Sequence, residues 1–174
     1  MIRRSVITAF LLLLALQQSG AAENAPSADL RKVLEGTWDL IEWPAEGTVM
    51  RPPEMNGRWM VHDGIVVAIR FRNGPKSFES SADYGEYKIT DTEWAYGYAR
   101  NQLARGPTAA EAKTTVQLTQ PIKMQTYKIT REGAKVILRA TDNASRWEFD
   151  GPFFSVIAAD GSLTRTQRSM CERN

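Results

Sequence analysis

The chain has 174 residues, 43% of them hydrophobic, with 22 Lys and Arg against 20 Asp and Glu. That is enough material for one domain with a single core. Arg3 and Arg4 stand in a segment that reads as removable; without them the signs balance, so nucleic acid and anionic lipid surfaces, which demand a positive field, are not expected as partners.

The first 22 residues read as a signal peptide. Arg3 and Arg4 form a basic start, Val6 to Leu16 an apolar run, and Ser19-Gly20-Ala21-Ala22 a small-residue cleavage site, with cleavage expected after Ala22 and Ala21 as the alternative. The apolar run falls short of the roughly 20 residues that cross a bilayer, so no integral span is expected after cleavage. The expected location is extracytoplasmic, either secreted or in a bacterial periplasm. Cys171 is the single cysteine, so an exported chain of this kind has no internal disulfide.

Residues 23–33 read as a linker and a short helical turn, in which Asp29 to Leu34 flanks or plugs the folded domain. Residues 34–168 carry that domain, and 169–174 a flexible tail. From Trp38 onward the apolar pattern has a period of two, broken by turn signals every ten or so residues. Pro44 to Asn56 reads as a loop over one end of the domain.

Asp63-Gly64 favours a type I′ turn, which predicts a hairpin from Arg58 to Arg72 with His62 opposite Ile65, Met60 opposite Val67 and Arg58 opposite Ile69. One face then carries Arg58 at its far end, with Met60, His62, Ile65, Val67, Ile69 and Phe71; the other carries Trp59, Val61, Val66, Ala68, Arg70 and Arg72. The first face is the more apolar and is expected to line the interior, whereas a one-residue bulge would exchange the two.

Asn73 to Ala82 reads as a loop. The strand from Tyr84 to Thr90 puts Tyr87 and Ile89 on one side, and the next puts Trp94, Tyr96 and Tyr98 together. Asn101 to Lys113 reads as a second long insertion, a short helix being one form of it. Five further strands follow between Met124 and Gln167, after one at Thr114 to Thr119. The result is about ten short strands in sequential order. An all-β, antiparallel up-and-down barrel of about 8–10 strands closes their edges more economically than a sandwich.

Gly36-Thr37-Trp38 resembles the Gly-x-Trp that opens the first strand in lipocalins and the wider calycins, and Leu163-Thr164-Arg165-Thr166 resembles their final strand. The Leu34-Glu35-Gly36-Thr37-Trp38 opening, followed by the Asp63-Gly64 hairpin, is similar to compact bacterial lipocalin-like domains. The resemblance implies a cavity open at one end. It also implies a structural closure by Gly36, Trp38 and Arg165, with Arg165 stacked across Trp38.

Chemistry-bearing candidates are few. His62 is the only histidine, so no histidine-based metal cluster is expected, and neither is a cofactor. His62 beside Asp63 is a weak candidate for a catalytic acid or base; a half-exposed turn histidine is the plainer reading. Met60, His62, Val67, Ile69, Tyr87, Trp94, Tyr96 and Tyr98 are the expected ligand-binding set, the aromatics by stacking on an apolar or planar molecule. Arg70 and Arg72 share a face and suit a carboxylate, or else a solvated exterior. The leading expectation is an exported lipocalin-like protein binding a small hydrophobic or amphipathic ligand. A lipocalin-fold enzyme of cyclase, isomerase or lyase type and a protein-interaction module with a filled barrel are the alternatives.

Overall fold

The computed structural model describes residues 28–45 and 47–170. The signal segment, most of the linker and Cys171 lie outside the described residues. One helix, α1 (Ala28–Leu34), precedes twelve strands: β1 (Gly36–Ala45), β2 (Thr48–Met50), β3 (Met55–His62), β4 (Ile65–Asn73), β5 (Phe78–Ile89), β6 (Glu93–Gly106), β7 (Lys113–Leu118), β8 (Gln125–Glu132), β9 (Lys135–Ala140), β10 (Arg146–Asp150), β11 (Phe153–Ile157) and β12 (Leu163–Ser169).

Ten of them close on themselves in the order β1, β3, β4, β5, β6, β8, β9, β10, β11, β12, and β12 returns antiparallel to β1. Closure removes the edges that an open sheet would leave unpaired. The two remaining strands extend the wall at one end, β2 against β1 and β7 against β6. Thus Pro44 to Asn56 is a hairpin and not an open loop. Asn101 to Lys113 is likewise the upper half of β6 with its turn into β7, not a helix, because Arg100 to Arg105 pairs residue by residue with β7. Asn73 to Ala82 is mostly strand as well, since β5 begins at Phe78.

Asp63 and Gly64 both have positive φ, 51° and 82°, as a type I′ turn requires. The hairpin register is the expected one, with His62 opposite Ile65 and Met60 opposite Val67. The faces, however, are exchanged relative to the expectation. Trp59, Val61, Val66 and Ala68 are buried, whereas His62, Ile65 and Ile69 are exposed. Arg70 and Arg72 made the inner face look polar, but they meet Asp83 and Glu79 of the neighbouring β5, partners invisible from the hairpin alone.

The lower half of the barrel is solid. Trp38 meets Phe149 and Phe154 edge-on at centroid distances of 5.4 Å, and Tyr87 stacks on Trp94 at 4.5 Å. Such pairs add roughly 0.5–1.5 kcal/mol each to the area they bury. Leu30 and Leu34 of α1, four residues apart on one helix face, join this cluster and close the floor. Tyr87 Oη donates to Glu35 Oε1 over 2.5 Å, tying the wall to the residue that follows the helix.

Candidate functional site

Above the aromatic floor the interior changes character. A cavity of about 180 Å³ is lined by Trp59, Ala68, Tyr96, Tyr98, Trp147 and Phe154, together with Arg70, Arg165 and Gln167. Each position follows from strand alternation. On β4, Val66, Ala68, Arg70 and Arg72 point inward in turn; on β6, Trp94, Tyr96 and Tyr98 do the same. The β5–β6 register shifts between Tyr84 and Gly85, where Gly85 faces Tyr98 and Tyr84 faces Arg100. That bulge resets the alternation and brings Asn101 and Arg105 onto the side of Asp83 and Glu79.

The charged groups of the interior have ion-pair partners with one exception. Arg70 Nη2 donates to Asp83 Oδ2 over 2.8 Å, and the Asp83 side chain is wholly shielded from solvent. Asn101 Nδ2 donates to the other carboxylate oxygen. Burial pushes the Asp83 carboxyl up from its ordinary range, more than Arg70 and Asn101 pull it down. Nearer the mouth, Glu79 accepts from Arg105 over 2.8 Å and from Arg72 over 3.4 Å. Burial raises its carboxyl, but the two guanidiniums outweigh it and the net shift is downward.

Arg165 is the exception. It makes no hydrogen bond or ion pair to any described residue, and its Nε is buried without a partner. Its guanidinium lies 5.9 Å from the centroid of the Trp43 ring, on which Arg72 also sits at 5.3 Å. Desolvation and the like charge of Arg70 bring the Arg165 guanidinium down to about 10. Tyr96 and Tyr98 beside it are held above the ordinary phenol range chiefly by burial, so both are neutral hydroxyls at neutral pH.

The expected residues divide into two groups. Tyr87, Trp94, Tyr96 and Tyr98 face the interior, Tyr96 and Tyr98 lining the cavity and Tyr87 and Trp94 lying in the floor beneath it. Met60, His62, Val67 and Ile69 belong to the outer face, which corrects their expected inward direction. His62 at the exposed hairpin tip is on the wrong side of the wall to act as a cavity acid or base. The expected contact of Arg165 with Trp38 is also corrected. Trp38 pairs with Ser169, four residues further along β12 than Arg165, a rise of about 13 Å. Gly36 opens β1 at φ 145° and Trp38 does sit in the floor; Arg165 belongs to the cavity.

Asp83, Asn101 and Gln167 were not anticipated. The period-two run Glu79, Ser81, Asp83, Gly85, Tyr87 carried the signal for Asp83, because an inward Tyr87 puts Asp83 inward as well. Among the described residues, no group of three His, Cys, Asp or Glu side chains is placed to hold a metal ion, and no helix is long and apolar enough to cross a membrane. No protein-family model matches the chain, and neither the curated proteins nor the solved structures give a match. The functional reading therefore rests on the barrel's own residues.

Proposed function

We propose that this is an exported lipocalin-like protein that binds a small hydrophobic or amphipathic molecule in the upper half of its barrel. The observation that carries the reading is the cavity itself: aromatic walls from Trp59, Trp147, Phe154 and Tyr96, with polar groups from Tyr98, Gln167, Arg70 and Arg165 converging on one space. Concave apolar sites with a few fixed polar groups are the usual form of a ligand pocket. The signal-like first 22 residues support export, and release of a chain beginning at Glu23 would be read by sequencing the N-terminus of the secreted or periplasmic protein.

Trp59 and Trp147 line the cavity, so occupancy is expected to alter intrinsic tryptophan fluorescence. Ligand-stripped protein titrated with fatty acids, hydroxyaromatics and isoprenoids should respond to at least one class. Ala68→Phe, which fills the cavity from β4, should abolish that response with the barrel still folded. A panel without any response, or an unchanged response in Ala68→Phe, would sink the proposal.

A further inference from the structure

The charge arrangement of the cavity narrows the class of ligand it can take. A guanidinium removed from water is costly unless it is paired and hydrogen-bonded. Arg70 has Asp83, and Arg72 and Arg105 share Glu79, but Arg165 has no carboxylate within ion-pair distance among the described residues. Its buried Nε and that of Arg70 both lack acceptors. The unmet requirement is therefore one negative charge with oxygen acceptors, set beside Tyr96 and Tyr98.

Size and wall chemistry supply the rest. A dry apolar cavity of about 150 Å³ is enough to admit benzene, and this cavity measures about 180 Å³. One six-membered ring with a carboxyl group fills such a space; a long acyl chain or a polyisoprenoid does not. Trp59 and Trp147 stand edge to face at 5.4 Å, and Tyr96 lies 5.3 Å from Trp147, so aromatic faces and edges are available to a planar ring. Carboxylate matches the planar guanidinium fork. A dianion would bring a second charge, for which the described cavity residues offer no second unpaired guanidinium.

We infer that the cavity takes a single-ring aromatic monocarboxylate, its ring against the cavity-facing surfaces of Trp59, Trp147 and Tyr96 and its carboxylate on Arg165, with the Arg70 edge and the tyrosine hydroxyls as further donors. The ligand supplies a carboxylate within ion-pair distance, whereas Glu79 and Asp83 act on Arg165 only from further away. This rests on the proposed binding function and specifies it.

The test compares benzoate with benzamide, which has the same ring and shape without the charge, and with palmitate as a long-chain acid, using calorimetry and tryptophan fluorescence on the purified protein. Benzoate is expected to bind at least tenfold more tightly than benzamide and more tightly than palmitate. In Arg165→Met the preference for benzoate over benzamide should disappear while benzamide binding remains; that variant loses a partly buried guanidinium that has no ion-pair partner among the described residues and is expected to fold. Arg165→Lys should keep part of the preference. Equal affinities for benzoate and benzamide, or a preference that survives Arg165→Met, would overturn the inference. Palmitate binding without benzoate binding overturns the inference but leaves the binding function standing, whereas silence from every probe here and in the wider panel removes both.

Discussion

Arg70 and Asp83 form an ion pair inside the barrel, 2.8 Å from Nη2 to Oδ2, with the carboxylate wholly shielded from solvent. Removing one partner strands the other in a low-dielectric interior. Arg70→Met is therefore expected to cost about 3–5 kcal/mol at neutral pH. The deficit should shrink in acid. Burial already raises the Asp83 carboxyl, and without Arg70 it rises further. An acid whose folded pKa exceeds its unfolded value holds its proton preferentially in the folded state, so stability increases as pH falls through the folded pKa and levels off below the unfolded one. Urea unfolding of Arg70→Met against the parent protein checks this; a deficit that stays constant from neutral pH into the ordinary carboxylate range contradicts it.

This pair also shows how far the sequence could be read. The Asp63-Gly64 turn and the His62 to Ile65 register are local, decided by backbone conformation, and were legible. Which face of that hairpin turns inward is not local. It depends on Asp83, 13 residues beyond Arg70, and on Glu79, 7 beyond Arg72. Both stand on another strand and make an arginine-bearing face compatible with burial. The outer face keeps Ile65 and Ile69 exposed, and a count of apolar residues chose it for that reason. The same limit applies to Arg165. The motif-based expectation placed it on Trp38, whereas the bulge between Leu40 and Glu42 and the β1–β12 register set it beside Trp43. Tyr96 and Tyr98 were found because they share a face with Trp94 on a strand whose opposite side is nearly bare.

Trp38 and Arg165 should behave as independent residues. Trp38 is fully buried between Phe149 and Phe154, so Trp38→Ala is expected to destabilise the barrel by about 3–5 kcal/mol. Arg165→Met should be close to neutral in the ligand-free protein, because it exchanges a partly buried guanidinium with no carboxylate within ion-pair distance for an apolar side chain. The double variant should equal the sum of the two to within about 0.5 kcal/mol. A coupling clearly above that value in a denaturation cycle would restore a direct contact between them.

Gly85 and Gly133 provide a contrast between steric and conformational demands. A Cβ on Gly85 would lie 1.9 Å from the Gly97 carbonyl oxygen, a backbone atom that cannot swing aside, at the bulge that turns Asn101 inward. Gly85→Ala is expected to cost about 3 kcal/mol or more and to weaken ligand binding, since the upper half of β6 must shift. Gly133 has open space around it and a φ of 64°, so Gly133→Ala bears only the left-handed backbone penalty of about 1–2 kcal/mol. Thermal denaturation ranks them, and an equal or reversed order would contradict the steric account.

Buried tyrosines set an alkaline limit on the fold. The Tyr87 phenol is pushed up to about 12, chiefly by burial and then by its hydrogen bond to Glu35; burial also raises Tyr96, Tyr98 and Tyr127 above the ordinary value of 10.0. A phenol with a raised folded pKa keeps its proton in the folded state after the unfolded chain has lost it. Its contribution is therefore complete below the unfolded pKa and is lost as pH rises through the folded one. For Tyr87 that window runs from pH 10 to about 12. Stability should fall steeply there; in a Tyr84→Phe background, which removes the one half-exposed tyrosine, phenolate absorbance should appear together with loss of β-sheet circular dichroism and not before it. Tyr87→Phe should be less stable at neutral pH by about 1–2 kcal/mol, for loss of the bond to Glu35. The same variant should lose less stability than the parent across the alkaline window, because one of the proton-retaining groups is gone. Phenolate absorbance that precedes unfolding in the Tyr84→Phe background would show that these hydroxyls titrate within the intact barrel, and would contradict their burial as the cause.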